Sequence, residues 1–272
     1  MSQELITHQS CKSCNTEYSG IFCPSCGQKL ITKRFTVRDG VSNLFGVVLN
    51  FDRGLWPTLI GLITKPGKVI RDYLSGITIP YYHPFRFIFL MLSISVILMT
   101  FTGIYDYIQG DFSESFTGQR IPETTQILIG VMNSYMNILI SLSVPILAFG
   151  SWLFFRKQGY NYAEHLIITS YAYGLTVFLG VIFIPIYYIS KNLYVALSSL
   201  SLLISISFFI YVYISLFKGN VVLTILKAIG AFIVWMIGFT ALMLVLFMAY
   251  ADYRASVDPE FKELIIKERS SR

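Results

Sequence analysis

Five long stretches of this sequence are apolar and carry no charged residue, and they restrict the possible folds more than any other feature. They are residues 87–105, 134–155, 166–189, 193–217 and 228–250. An α-helix rises ~1.5 Å per residue, so about 20 residues cross a hydrocarbon core ~30 Å thick. The sequence therefore predicts an all-α integral membrane bundle with about five transmembrane helices.

Composition and charge placement agree with a membrane protein. Apolar residues make up 54% of the 272 residues and charged residues 13%, against roughly 25% charged residues in an ordinary soluble domain. Ten of the 21 Lys and Arg residues precede residue 87. The net charge of +6 therefore lies beside membrane segments, where it favours anionic lipid headgroups over nucleic acid.

The short connections between the apolar runs predict the orientation of the chain. Residues 1–14 lack the apolar core of a signal peptide, so we expect the N-terminus to stay in the cytosol. The connections at 156–157 and 218–227 are basic, whereas 106–133 holds one arginine against four acidic residues. By the positive-inside rule, 106–133 lies outside the cell (inner) membrane. Five spans then place the C-terminus outside as well.

The four cysteines of the chain form two C-x-x-C pairs near its start, namely Cys11 with Cys14 and Cys23 with Cys26. In a reducing compartment such pairs favour a metal site over disulfides. Four thiolates complete a closed tetrahedral zinc site, which is structural rather than catalytic. Iron is the chemical alternative. A head of some thirty residues buries too little core to fold alone, so one zinc ion would supply its folding energy.

The residues around the two C-x-x-C pairs, which together form a predicted zinc ribbon, favour a protein partner. Basic residues are present, but the interleaved aromatic platforms that stack nucleic-acid bases are absent. Tyr18, Phe22 and Phe35 are predicted to form the small ribbon core. We therefore expect the ribbon to dock a protein rather than nucleic acid.

Residues 31–86 are predicted to form short amphipathic helices on the cytosolic side, with apolar faces over 37–48, 55–63 and 66–74. Five basic side chains accompany these faces: Arg38, Arg53, Lys65, Lys68 and Arg71. Such helices lie in the headgroup plane of a bilayer, where these residues would contact lipid headgroups. Alternatively, their apolar faces pack on the cytosolic ends of the bundle. The two possibilities are compatible.

No sequence pattern of a catalytic site is present. There is no P-loop, H-E-x-x-H or Ser/His/Asp set, and no charged residue lies within the five apolar runs. Ion-coupled transporters and intramembrane enzymes place ionisable groups there. The adjacent pair Glu164 and His165 is predicted to be a solvated helix end, with a proton relay as the alternative.

The predicted organisation has four parts: a zinc ribbon at 1–30, interfacial helices at 31–86, five transmembrane helices at 87–250 and a polar tail at 251–272. Motifs in the first two parts resemble an uncharacterised bacterial membrane family known as a domain of unknown function. They are C-x-x-C with F-C-P-S-C-G-Q at 11–28, F-D-R-G-L-W-P-T-L at 51–59, K-P-G-K-V-I-R-D-Y-L-S-G at 65–76 and Y-Y-H-P-F-R-F at 81–87. Members usually carry a basic pair after that glycine, where this chain has Ile77 and Thr78. The five-helix layout is also similar to Yip-type membrane proteins, in topology only.

Three functional hypotheses follow from these patterns. The first is a non-enzymatic membrane scaffold or adaptor whose ribbon docks a protein partner at the bilayer. The second is a transporter or channel, suggested by Pro145, Pro185 and the serine-rich fourth apolar run. The third is a lipid-headgroup-modifying enzyme, whose candidate residues are Asp52, Arg53, Arg71, Asp72 and His83.

Overall fold

The computed structural model describes residues 9–30, 34–37, 54–104 and 123–270. Two short antiparallel strands, β1 (Gln9–Ser10) and β2 (Glu17–Tyr18), belong to the ribbon. The helices are α1 (Leu55–Thr64), α2 (Pro66–Leu74), α3 (Pro84–Thr102), α4 (Glu123–Ser134), α5 (Met136–Phe155), α6 (Tyr162–Phe183), α7 (Ile186–Ile189), α8 (Lys191–Leu216), α9 (Val221–Val257) and α10 (Pro259–Ser270). The predicted all-α membrane fold with a small cysteine ribbon is confirmed.

Each predicted apolar run coincides with a long helix. Within the described ranges, four helical stretches are long and apolar enough to cross a membrane, namely Pro84–Thr102, Leu139–Gln158, Tyr162–Phe183 and Val221–Val257. The remaining run, 193–217, lies in α8, which has 26 residues. At ~1.5 Å per residue α8 is about 39 Å long, which also suffices to span a bilayer.

The ends of two runs differ from the prediction. The run 166–189 is interrupted where α6 ends at Phe183 and α7 begins at Ile186, because Pro185 between them has no N–H to continue the helix. The run 228–250 belongs to α9, whose 37 residues continue to Val257. Residues 251–270, predicted only as a polar tail, are thus almost entirely helical in α9 and α10.

Helix α6 forms the centre of the bundle. Its residues from Ala163 to Leu175 are buried, apart from partly exposed Tyr173. A helix that is buried on all sides must be surrounded by other helices, and α6 is enclosed by α3, α5 and α8. The side chain of Tyr171 is fully buried in the core cluster.

Helices α1 and α2 pack on this bundle. Leu62, Val69 and Ile70 belong to the same core cluster as Tyr171. The amide of Gly67 donates to Ser215 Oγ on α8 at 3.0 Å, and a Cβ at position 67 would lie 2.1 Å from the Ser215 carbonyl oxygen. Of the two alternatives for this segment, packing on the bundle holds for α1 and α2. The helix predicted at 37–48 lies outside the described residues except for Val37.

One hydrogen bond shows which parts of α3 and α6 lie at the same level along the bundle axis. Tyr171 donates through its hydroxyl to the carbonyl oxygen of Tyr82 at 2.6 Å, so α3 begins level with Tyr171. Nine residues of α6 precede Tyr171, which corresponds to about 13 Å of helix. The start of α6 therefore extends beyond the start of the first membrane-length helix, toward the ribbon.

The opposite end of the bundle carries the C-terminal helix. Glu268 on α10 accepts hydrogen bonds from the amide and the hydroxyl of Thr124 at the start of α4. The end of the 106–133 segment and the C-terminal helix therefore lie at one end of the bundle, as expected if they share one side of a membrane.

Candidate metal centre

The four cysteines meet in the ribbon. Their sulfur atoms lie within 4.8 Å of one another. Cys11 Sγ is 3.6 Å from Cys26 Sγ, and Cys14 Sγ is 3.6 Å from Cys23 Sγ. Zinc–sulfur bonds of ~2.3 Å place tetrahedral sulfurs about 3.8 Å apart. The cluster thus has the size that a single tetrahedral ion requires.

Two similar turns form the cluster. The amide of Asn15 donates to the carbonyl oxygen of Cys11 at 2.8 Å, and the amide of Gly27 donates to that of Cys23 at 2.8 Å. Asn15 has φ +60° and Gly27 has φ +75°. Asparagine and glycine are the residues that adopt this left-handed backbone most readily. The sequence therefore favours both turns before a metal is bound.

The thiols of the cluster are suited to bind a cation. Cys11 and Cys23 are buried, whereas Cys14 is exposed. Hydrogen bonding to the side chain and amide of Thr16 lowers the pKa of the Cys14 thiol to about 6, which favours the thiolate, the form that ligates metals. Four thiolates fill a tetrahedral shell, so a bound ion would have no open position for a substrate.

Gln28, two residues after the last cysteine, attaches the ribbon to the bundle. Its side chain is 3% exposed and donates through Nε2 to Gly76 O at 2.7 Å and to Thr78 Oγ1 at 3.2 Å. Lys12 Nζ adds a bond of 2.9 Å to Ser75 O. This joint between the ribbon and the bundle is not predictable from the sequence pattern alone, although C-G-Q and the later glycine both belong to the quoted motifs.

The aromatic residues of the ribbon divide between core and surface. Tyr18 packs with Cys11 and Cys23, as predicted. Phe22 is 59% exposed, and its neighbour Ile21 is 57% exposed. Phe35 packs against the core of the bundle. The prediction that Phe22 and Phe35 belong to the ribbon core is therefore wrong, because the cysteine cluster and Tyr18 already occupy the interior of so small a unit.

The predicted headgroup residues have different surroundings. Lys65 and Lys68 are exposed beside α2. Arg71 Nη1 donates to the carbonyl oxygens of Ser215 at 2.9 Å and Leu216 at 3.2 Å, which lie at the C-terminus of α8, where a cation is favourable. Arg38 and Arg53 lie outside the described residues. Lys65, Lys68 and Arg71 are all exposed and remain candidates for headgroup contact, and Arg71 in addition bonds to the end of α8.

The residues named as candidates for a lipid-headgroup-modifying enzyme make separate contacts. Asp72 Oδ2 accepts from the hydroxyl of Tyr81 at 2.8 Å. His83 makes an edge contact with Tyr73, with 6.1 Å between ring centroids, and burial together with the Arg86 charge lowers its pKa to about 4. Asp52 lies outside the described residues. His83 is therefore neutral at physiological pH.

The pair Glu164 and His165 is not the solvated helix end that was predicted, since their exposures are 6% and 0%. Glu164 accepts from Arg34 Nε at 2.9 Å and from the amide of Asn161 at 2.8 Å. Together with the Asn161 side chain it forms a capping box at the start of α6. The N-x-x-E pattern at 161–164 was readable as such a box.

A side-chain hydrogen bond holds His165 inside the bundle. Its Nδ1 lies 2.7 Å from Ser151 Oγ on α5, and its ring stacks on Phe217 with 5.9 Å between centroids. This contact joins α5 and α6 in the core. The sequence does not predict this contact, because a serine such as Ser151 within an apolar run has no distinguishing pattern.

Comparison with known proteins finds a family similarity in one segment of the chain. Residues 52–96 match a family described as Protein of unknown function (DUF3667), which confirms the resemblance drawn from the motifs. No curated protein and no solved structure matches the chain. The matched segment includes α1, α2 and most of α3, and so contains the loop that receives Gln28.

Proposed function

We propose that this chain is a non-enzymatic integral membrane adaptor. Its ribbon binds one structural zinc ion and presents a docking surface for a protein partner at the cytosolic face of the bilayer. The observation that carries the proposal is the exposed pair Ile21 and Phe22 on a ribbon that Gln28 joins to the bundle. The membrane is the cell (inner) membrane, with the ribbon in the reducing cytosol.

The zinc ion has a structural role in this proposal. The four cysteines supply a complete tetrahedral thiolate set. With every position occupied by sulfur, the ion cannot polarise a substrate or activate water. Its contribution is to hold the two C-x-x-C turns together. Because Phe22 directly precedes the ligand Cys23, the ion also fixes the backbone that carries Phe22.

The exposed pair has the chemistry of a protein contact. Aromatic side chains are enriched among the residues that dominate binding energy, and they work best on rigid supports. Phe22 is bridged to Lys29 across the ribbon, and the amide of Leu30 donates to the carbonyl oxygen of Ile21 at 2.8 Å. The two apolar side chains are therefore displayed from an ordered backbone.

Copurification with a matched control tests the proposal. The full chain, solubilised in detergent from its native membrane, is compared with the double variant Ile21→Ser, Phe22→Ser by quantitative mass spectrometry. The control is Ile266→Ser, which removes an equally exposed isoleucine (58%) at the opposite end of the bundle. We expect at least one specific protein to be lost in the double variant and retained in the control. Equal recovery of all proteins from the three samples would contradict the proposal.

A further inference from the structure

An apolar cavity of about 380 Å³ lies between α3, α5, α6 and the segment 34–37, which contributes Phe35 and Val37. Phe85 and Phe89 line it from α3, Ser141 from α5, and Leu166 and Ser170 from α6. Small-molecule sites in proteins generally have volumes of ~300–1,000 Å³ and mostly apolar walls with a few polar groups. The cavity therefore has the size and the chemistry of a binding site for an apolar ligand.

The cavity is continuous with the surface that membrane lipids would contact. Phe89 is 57% exposed on a helix of membrane length, and Ser141 is exposed on another. Tyr171, which follows Ser170, bonds to Tyr82 just before α3 begins. Ser170 thus lies close to the level at which the first membrane-length helix begins.

One polar group in the cavity wall lacks a partner. Ser170 is fully buried, and its Oγ has no hydrogen-bond partner among the described residues. A buried hydroxyl without a partner is unfavourable because its desolvation is not compensated, and buried polar groups are normally bonded. The hydroxyl can donate to an acceptor on a ligand that enters the cavity.

We propose that this cavity binds one acyl chain of a membrane glycerolipid, whose ester carbonyl oxygen accepts a hydrogen bond from Ser170 Oγ. The apolar walls bury the chain, and the buried Ser170 hydroxyl fixes the depth of the ester. The access between Phe89 and Ser141 lets the lipid enter sideways from the bilayer. The rest of the lipid stays in the surrounding leaflet.

Photolabelling tests the site directly. The full chain is reconstituted in nanodiscs that contain a phosphatidylglycerol with a diazirine near the start of one acyl chain, and labelled peptides are mapped by mass spectrometry. A parallel sample contains the corresponding diazirine fatty acid. We expect the phospholipid to label 85–89 and 166–170 more strongly than Ile237, which is 67% exposed on α9. Equal labelling of Ile237, or labelling of the cavity by the fatty acid alone, would overturn the proposal.

Two variants with a matched control sharpen the result. Ser141→Trp fills the access to the cavity, whereas Leu142→Trp adds the same side chain at a neighbouring exposed position that does not line it. We expect cavity labelling to fall to background only in Ser141→Trp.

Ser170→Ala should lower the apparent lipid affinity about two- to tenfold, the value of one neutral hydrogen bond. If neither Ser141→Trp nor Ser170→Ala changes the labelling, the acyl chain does not occupy this cavity.

Discussion

Gln28 of the ribbon and Gly76 after α2 are joined by a hydrogen bond of 2.7 Å from Nε2 to the carbonyl oxygen. The other end of the same amide, Oε1, accepts from the backbone amides of Thr78 and Ile79 at 3.1 Å each. A single buried side chain therefore satisfies three backbone groups of the loop before α3. Because Gln28 follows Cys26 by two residues, the metal cluster and the membrane helices share a joint.

The first prediction concerns this joint. Gln28→Ala removes hydrogen bonds worth about 0.5–1.5 kcal/mol each, so hydrogen exchange at the amides of Thr78 and Ile79 should accelerate at least several-fold. Metal content should not change, because all four ligands remain. Gln9→Ala, which removes a ribbon glutamine bonded to Gly20 O, is the control and should leave both amides protected. Unchanged exchange in Gln28→Ala would show that the joint contributes no stability.

The second prediction concerns the ion. Elemental analysis of the purified chain should find one zinc per chain, and Cys23→Ser should lose it. Because metal binding supplies the folding energy of a small ribbon, the variant should also lose exchange protection at Thr78 and Ile79. The membrane helices should stay inserted, since their backbone hydrogen bonds are internal. Iron at one per chain, or no metal, would refute the assignment.

The third prediction separates two kinds of basic residue on α2. Replacing exposed Lys65 and Lys68 by glutamine should weaken binding of phosphatidylglycerol by about 1 kcal/mol each, with a smaller difference at high salt. Arg71→Gln should instead lower the melting temperature, because it removes bonds to the α8 carbonyl oxygens. Lipids retained by the chain can be counted by native mass spectrometry. Equal lipid retention by the unmodified chain and the lysine variants at low salt would contradict headgroup contact.

The fourth prediction concerns orientation in the membrane. Cysteines are introduced singly at Ser115, Lys157 and Ser270 and are probed on intact cells with a membrane-impermeant thiol reagent. We expect labelling at 115 and 270 only, since α10 contacts the start of α4 through Glu268 and Thr124 and the 156–157 turn is basic. Labelling at 157, or protection at 270, would mean that the number of spans is wrong.

The sequence was most informative where a pattern has one physical solution. Charge-free runs of about 20 residues cross lipid as helices, whose backbone hydrogen bonds are internal. Each of the five runs is helical in the structure, with a break at Pro185 in the third. Paired C-x-x-C turns likewise bring four sulfurs to one point. Pro185 could also be read as a helix break, although its effect within an apolar run depends on the neighbouring helices.

The remaining features depend on contacts between residues far apart in the chain. Gln28 and Gly76 are separated by 48 residues, and nothing in either residue type specifies the other. The burial of His165 depends on Ser151 of α5, a residue that resembles the other serines of the helices. Exposure of Phe22 was mispredicted because apolar aromatic residues are usually buried, and a metal cluster removes that requirement.

An adaptor function requires that the ribbon docks a protein through its exposed apolar pair, Ile21 and Phe22. A photoreactive phenylalanine analogue at position 22, in the full chain and in intact cells, tests this claim most directly. The control position is Glu17, which is exposed on the same ribbon. We predict one discrete crosslinked protein from position 22 that is absent from position 17 and disappears when Cys23→Ser is added. Crosslinks to lipid alone, or the same products from both positions, would contradict an adaptor function.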